Sequence, residues 1–144
     1  MRYLAIDFGD KRTGLAVADD ETKLALPLDV IETSSEEERL RQLRATVEDH
    51  NVSALVLGLP LNMDGSEGMA AKKAQRFASV LRATFSLPVY LVDERLTSEA
   101  SAALMAQTSL GRRKRKIHQN AVAAAAILRD FLEIRCGTQP INEG

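Results

Sequence analysis

The stretch Arg2-Tyr3-Leu4-Ala5-Ile6-Asp7-Phe8-Gly9-Asp10-Lys11-Arg12-Thr13-Gly14-Leu15-Ala16-Val17-Ala18 constrains the fold more than any other part of the chain. It reads as strand, glycine-bounded turn, strand. Tyr3 to Ile6 and Leu15 to Ala18 are the pairing strands, and Gly9 and Gly14 supply backbone freedom for a tight reversal. Asp7 ends the first strand, on the rim of a sheet, where an open site can be built. The alternative is a turn-former, since Asp beside Gly is common in hairpins. Against that alternative stands a second apolar run, Leu87 to Val92, which leads straight into Asp93-Glu94-Arg95. Two apolar strands that both deliver acids at their ends predict a carboxylate cluster.

Between these two runs the pattern alternates. Leu24 to Ile31 reads as a third strand, with Pro27 pointing to an edge or a bulge. Ser34 followed by Glu37 has the form of a capping box, and Leu40, Leu43 and Val47 recur at helical spacing to about His50. Ser53 to Gly58 is too short and apolar for a helix and reads as a buried strand, parallel to the first because a helix connects them. Gly58 to Gly68 is loop by composition. A helix then runs to Phe85, with Ala74, Phe77, Ala78 and Leu81 on one side. After the fifth strand, Thr97 or Ser98 caps a helix to about Gln107, residues 108–117 read as a mobile basic loop, and a last helix spans about Gln119 to Ile134. Alanines in that helix let it lie close to a sheet. Three strands, helix, strand, helix, strand and helices predict an α/β domain with a mixed five-stranded sheet and helices packed on it.

A chain of 144 residues builds one domain, here residues 1–136 with a frayed tail at 137–144. Its single cysteine, Cys136, excludes a disulfide framework, and no run is long enough for a signal peptide or a membrane span, so a cytoplasmic protein with no membrane partner is expected. The net charge of -1 hides an unbroken basic run, Arg112, Arg113, Lys114, Arg115 and Lys116. Without that run, 14 basic residues face 20 acidic ones. Most of the surface repels polyanions, and one segment attracts them.

Taken in order, Asp7-Phe8-Gly9, Lys11-Arg12-Thr13-Gly14, Gly58-Leu59-Pro60-Leu61-Asn62-Met63-Asp64-Gly65 and Asp93-Glu94-Arg95-Leu96-Thr97-Ser98 closely resemble the YqgF family, also called RuvX. Its members are regarded as Holliday junction resolvases and as nucleases that mature the precursor of small-subunit ribosomal RNA. The resemblance covers roughly residues 1–135. It implies a ribonuclease H-like fold and phosphodiester hydrolysis with Mg²⁺ or Mn²⁺, hard ions that carboxylates on neighbouring strand ends can hold. By the resemblance, Asp7 and Glu94 match two acidic positions of the site, and Asp93 assists or braces it. The third acid of the family falls at Asn120, which offers a carbonyl oxygen but no charge. His118 nearby is either a structural residue or a nitrogen donor favouring Mn²⁺. Lys11, Arg12 and Arg95 flank the acids and, with the 112–116 run, are expected to contact phosphates.

Two other functions compete. An actin-like or sugar-kinase ATPase shares the Asp-x-Gly hairpin, but it needs a second such domain. A nucleic-acid-binding cofactor of rRNA processing or transcription with weakened catalysis is suggested by Asn120. The nucleic acid itself, structured RNA or branched DNA, and the choice of monomer or homodimer stay open in the sequence.

Overall fold

The computed structural model describes residues 1–22, 24–62, 64–93 and 112–135. They form β1 (Arg2–Asp7), β2 (Arg12–Asp19), β3 (Leu26–Glu32), α1 (Glu36–Asp49), β4 (Ala54–Leu59), α2 (Met69–Phe85), β5 (Val89–Asp93) and α3 (Arg112–Arg135). The five strands make one sheet in the order β3-β2-β1-β4-β5. β1 pairs antiparallel with β2 and parallel with β4, which in turn runs parallel to β5. This is the mixed sheet expected from the alternation of apolar runs. β3 is an edge strand, and its register with β2 slips between Leu15 and Ala16, opposite Asp29 and Pro27. Pro27 thus marks both an edge and a bulge.

Side-chain alternation splits the core in two. On one face Tyr3, Ala5, Ala16, Ala18, Ala54, Val56, Tyr90 and Val92 meet α3 through Ala124, Ala125, Ile127, Leu128 and Phe131. On the other, Leu4, Ile6, Leu15, Leu55, Leu57 and Val89 meet Leu43 of α1 and Ala74, Phe77, Ala78 and Leu81 of α2. Each large side chain sealed in this way contributes about 1.5–3 kcal/mol. On the α3 face Ala5, Ala16, Ala18 and Ala54 of the sheet lie opposite Ala124 and Ala125 of the helix, which lets helix and sheet backbones approach closely. The other face is filled by leucines and a phenylalanine.

Three local expectations change. The N-cap of α1 is Ser35, whose Oγ accepts from the Glu38 N–H at 3.3 Å, so the capping pair sits one residue beyond Ser34 and Glu37. Gly9 and Gly14 do not take positive φ angles, which among the described glycines belong to Gly65 alone. Their role is space: a Cβ on Gly9 would run into the Arg12 carbonyl. Finally, α3 begins at Arg112, so the backbone of the basic run 112–116 is helical rather than a loop. The helix predicted from Thr97 or Ser98 to Gln107 and the tail 137–144 lie outside the described residues.

Candidate active site

Asp7 is the last residue of β1, the central strand, and its Cα partner on β2 is Gly14. Directly opposed residues project to the same face. Tyr3↔Ala18 and Ala5↔Ala16 both face α3, so Asp7 and Gly14, two residues further on, do too. At Gly14 the N-terminal half of α3 comes down on the sheet. A Cβ there would overlap the Asn120 carbonyl and lie 2.9 Å from the Ala121 nitrogen. The main chain of Asn120 is thereby seated on the residue paired with Asp7.

On its other flank Asp7 also has a glycine for a neighbour. The β1–β4 register ends at Ile6↔Leu57, and the next position on β4 is Gly58, which pairs in turn with Val92 of β5. Gly14, Asp7, Gly58 and Val92 therefore form a row across the α3 face, with neighbours about 4.8 Å apart. Asp93 falls one residue past this row and pairs with Leu59. By strand parity it belongs with Val89 and Leu91 on the α1/α2 side, which separates it from Asp7. Glu94 and Arg95 lie outside the described residues, as do the side chains of His118 and of the run Arg112 to Lys116. Among the described residues no three His, Cys, Asp or Glu side chains gather as a metal cluster. What the fold brings to adjoining strand positions is Asp7 and, against its partner Gly14, the main chain of Asn120. A carboxylate and an amide carbonyl are both oxygen donors of the kind Mg²⁺ and Mn²⁺ take.

Lys11 and Arg12, both exposed, occupy the hairpin that follows Asp7. The hairpin is held from beneath by a residue the sequence argument passed over. Arg39 of α1 is 3% exposed, and its Nε donates to Thr13 Oγ1 at 3.1 Å. One Nη donates to the carbonyls of Asp10 at 2.8 Å, Thr33 at 2.9 Å and Gly9 at 3.4 Å. The guanidinium carbon lies 5.1 Å from the centre of the Phe8 ring and 5.9 Å from that of Phe77, and the two rings stack at 4.4 Å. Burial lowers the Arg39 pKa from its usual value, partly offset by Glu36 and Asp10. A signal for this residue existed in the sequence: Arg39 stands four positions before Leu43, on the apolar stripe of α1.

The loop after β4 hydrogen-bonds to itself through its main-chain amides. Three of them are used inside the loop. The Asn62 N–H donates to the Ser66 carbonyl at 2.9 Å, Gly65 N–H to the Asn62 carbonyl at 2.8 Å, and Ser66 N–H to Asp64 Oδ1 at 2.9 Å. Gly65, at φ 88, makes the reversal possible.

With this geometry in view, residues 1–134 match the family described as RuvX, Holliday junction resolvase. The chain belongs to the RuvX family. A relative from Anaeromyxobacter sp. (strain Fw109-5), named "Putative pre-16S rRNA nuclease", is 41% identical over 94% of this chain and 98% of its own. One of the same name from Dictyoglomus thermophilum is 38% identical over 92% and 96%. Among solved structures, Thermus thermophilus RuvC is similar with TM-score 0.58 and 21% identity, over 98% of this chain and all of that one. The fowlpox virus resolvase bound to Holliday junction DNA gives TM-score 0.60 at 10% identity, over 94% and 99%. At such low identity these two establish the fold, which is ribonuclease H-like. As a RuvX-family member, the chain is a hydrolase of the nuclease type.

Proposed function

We propose that the chain is a divalent-metal-dependent nuclease acting on the precursor of 16S rRNA or on branched DNA such as a Holliday junction. The observation that carries this reading is the row Gly14–Asp7–Gly58, with Asn120 seated on Gly14. It places a carboxylate at the end of the central strand, with a glycine at the neighbouring position of each flanking strand and one helix seated on the first of them. Asp7 supplies the negative charge that attracts a cation, and Asn120 supplies a neutral carbonyl. Glu94, which the family resemblance matches to a second acidic position, is assigned as the third donor. Asp93 and His118 are secondary candidates at the margins. When bound, Mg²⁺ or Mn²⁺ supplies Lewis-acid stabilisation of charge and a water of lowered pKa. Lys11, Arg12, Arg95 and the 112–116 run hold the phosphodiester in register without reading its sequence.

Asn120 favours a second reading, a catalytically weakened nucleic-acid-binding cofactor of rRNA processing or transcription. A cleavage panel of pre-rRNA fragments, single strands and four-way junctions, run with Mg²⁺ and with Mn²⁺, separates the two. The nuclease reading expects metal-dependent cleavage that Asp7→Asn and Glu94→Gln each reduce at least 100-fold, on the scale of losing a reacting group. It also expects a rise of melting temperature with Mn²⁺ that Asp7→Asn removes. Binding that survives in a wild type unable to cleave any substrate would leave the cofactor reading.

A further inference from the structure

We infer that α2 and the groove beside it form a second phosphate-binding surface, on the side of the sheet away from Asp7, that takes the nucleic-acid backbone flanking the cleavage point. The inference rests on the nuclease reading and extends its footprint. α2 carries Lys72, Lys73, Arg76 and Arg82 and no acidic residue. Its neighbour α1 has five acids and three arginines. In a chain of net charge -1, α2 is thus an unbalanced cationic helix, and Lys72, Lys73 and Arg76 are exposed on it.

Beside these cations lies a groove of about 360 Å³ lined by Phe8, Asp10, Glu36, Arg39, Lys73 and Arg76. A second hollow of about 270 Å³ shares Phe8, Asp10 and Lys73 with it. The Lys73 Nζ to Asp10 Oδ2 ion pair, 3.2 Å long and well exposed, stands between the two. Among the described residues Arg76 makes no ion pair or hydrogen bond through its side chain, and Arg39 brings a buried guanidinium whose hydrogen bonds there go to a hydroxyl and three carbonyls rather than to a carboxylate. Three cations therefore face two carboxylates across one groove, a positive surplus suited to an anion. A backbone leaving Asp7 on the α3 face reaches this groove by crossing the tip of the β1–β2 hairpin, where Lys11 and Arg12 stand. Phosphates spaced along one strand fit that path better than a compact ligand confined to one pocket, because the cations continue from the hairpin to α2.

The test is anisotropy titration of a single-stranded RNA and of a four-way DNA junction, without metal, over a range of salt concentrations. Lys73→Ala/Arg76→Ala should reduce the magnitude of the log-log salt slope for the RNA by about 1.4, two phosphate contacts at about 0.7 each. Arg41→Gln, which removes one charge on the far side of α1, should leave the slope unchanged. Asp10→Asn releases Lys73 and should tighten binding roughly two- to fivefold, the scale of an exposed ion pair. That opposite sign cannot come from a damaged fold. An unaltered slope in the double variant, with a wild type that binds in a salt-dependent way, overturns this surface and leaves the nuclease reading standing. A wild type that binds neither probe overturns both.

Discussion

Replacing Gly14 by Ala tests the junction on which the candidate site depends. The added methyl would overlap the carbonyl of Asn120 and stand 2.9 Å from the Ala121 nitrogen. Carbon atoms meet comfortably at about 3.5 Å or more, so the two backbones must part by more than about 1 Å. Neither can yield cheaply, because β2 is fixed between β1 and β3, while α3 is held by Ala121, Val122, Ala124 and Ala125, each less than 5% exposed. Overpacking of this kind costs about 1–3 kcal/mol, and a backbone-to-backbone clash belongs at the upper end. For a domain of this size, 3 kcal/mol lowers the melting temperature by roughly 6–12 °C. Cleavage should suffer more than stability does, since a displacement of about 1 Å at a site costs on the order of 100-fold. Thermal denaturation and single-turnover cleavage at 20 °C, where the variant stays folded, measure the two effects separately. A Gly14→Ala protein that melts with wild type and cuts at the wild-type rate would mean that α3 is not seated on β2, and the placement of Asn120 beside Asp7 would fall with it.

Arg39→Met should destabilise the fold by about 2–4 kcal/mol in urea denaturation, since it strands the Thr13 hydroxyl and three carbonyls, whereas Arg39→Lys keeps the charge and should lose less. Asp130 has its pKa raised by burial first and by Glu133 second. A carboxyl whose folded pKa lies above the unfolded value makes stability fall as pH rises from about 3.8 through the folded pKa. Asp130→Asn should therefore melt higher than wild type at pH 7, with the gap closing below about pH 4. Changing three of the five residues Arg112 to Lys116 to Ala should weaken binding to all sequences alike and flatten its salt dependence by about one unit of slope per contact, measured by anisotropy. Asn120→Asp should lower the metal concentration for half-maximal cleavage and raise Mg²⁺-supported activity, and metal titration of cleavage reads both directly.

What the sequence made legible was local. Each strand is an apolar run bounded by turn residues, and the capping pair at α1 was misplaced by only one residue because Ser34-Ser35 and Glu36-Glu37-Glu38 offer overlapping frames. The misreadings share a cause of longer range. Residues 108–117 read as a loop because they carry a glycine and a run of five cations, yet Arg and Lys are good helix formers, and a cation near a helix N-terminus costs only about a few tenths of a kcal/mol. Gly14 looked like a turn residue because nothing near it in sequence reveals that Asn120 will lie against it. That contact also bears on the missing acid. It is the main-chain carbonyl of residue 120 that meets Gly14, so the seating of α3 does not depend on which side chain the residue carries. That contact alone therefore does not decide between a neutral amide and a carboxylate at position 120.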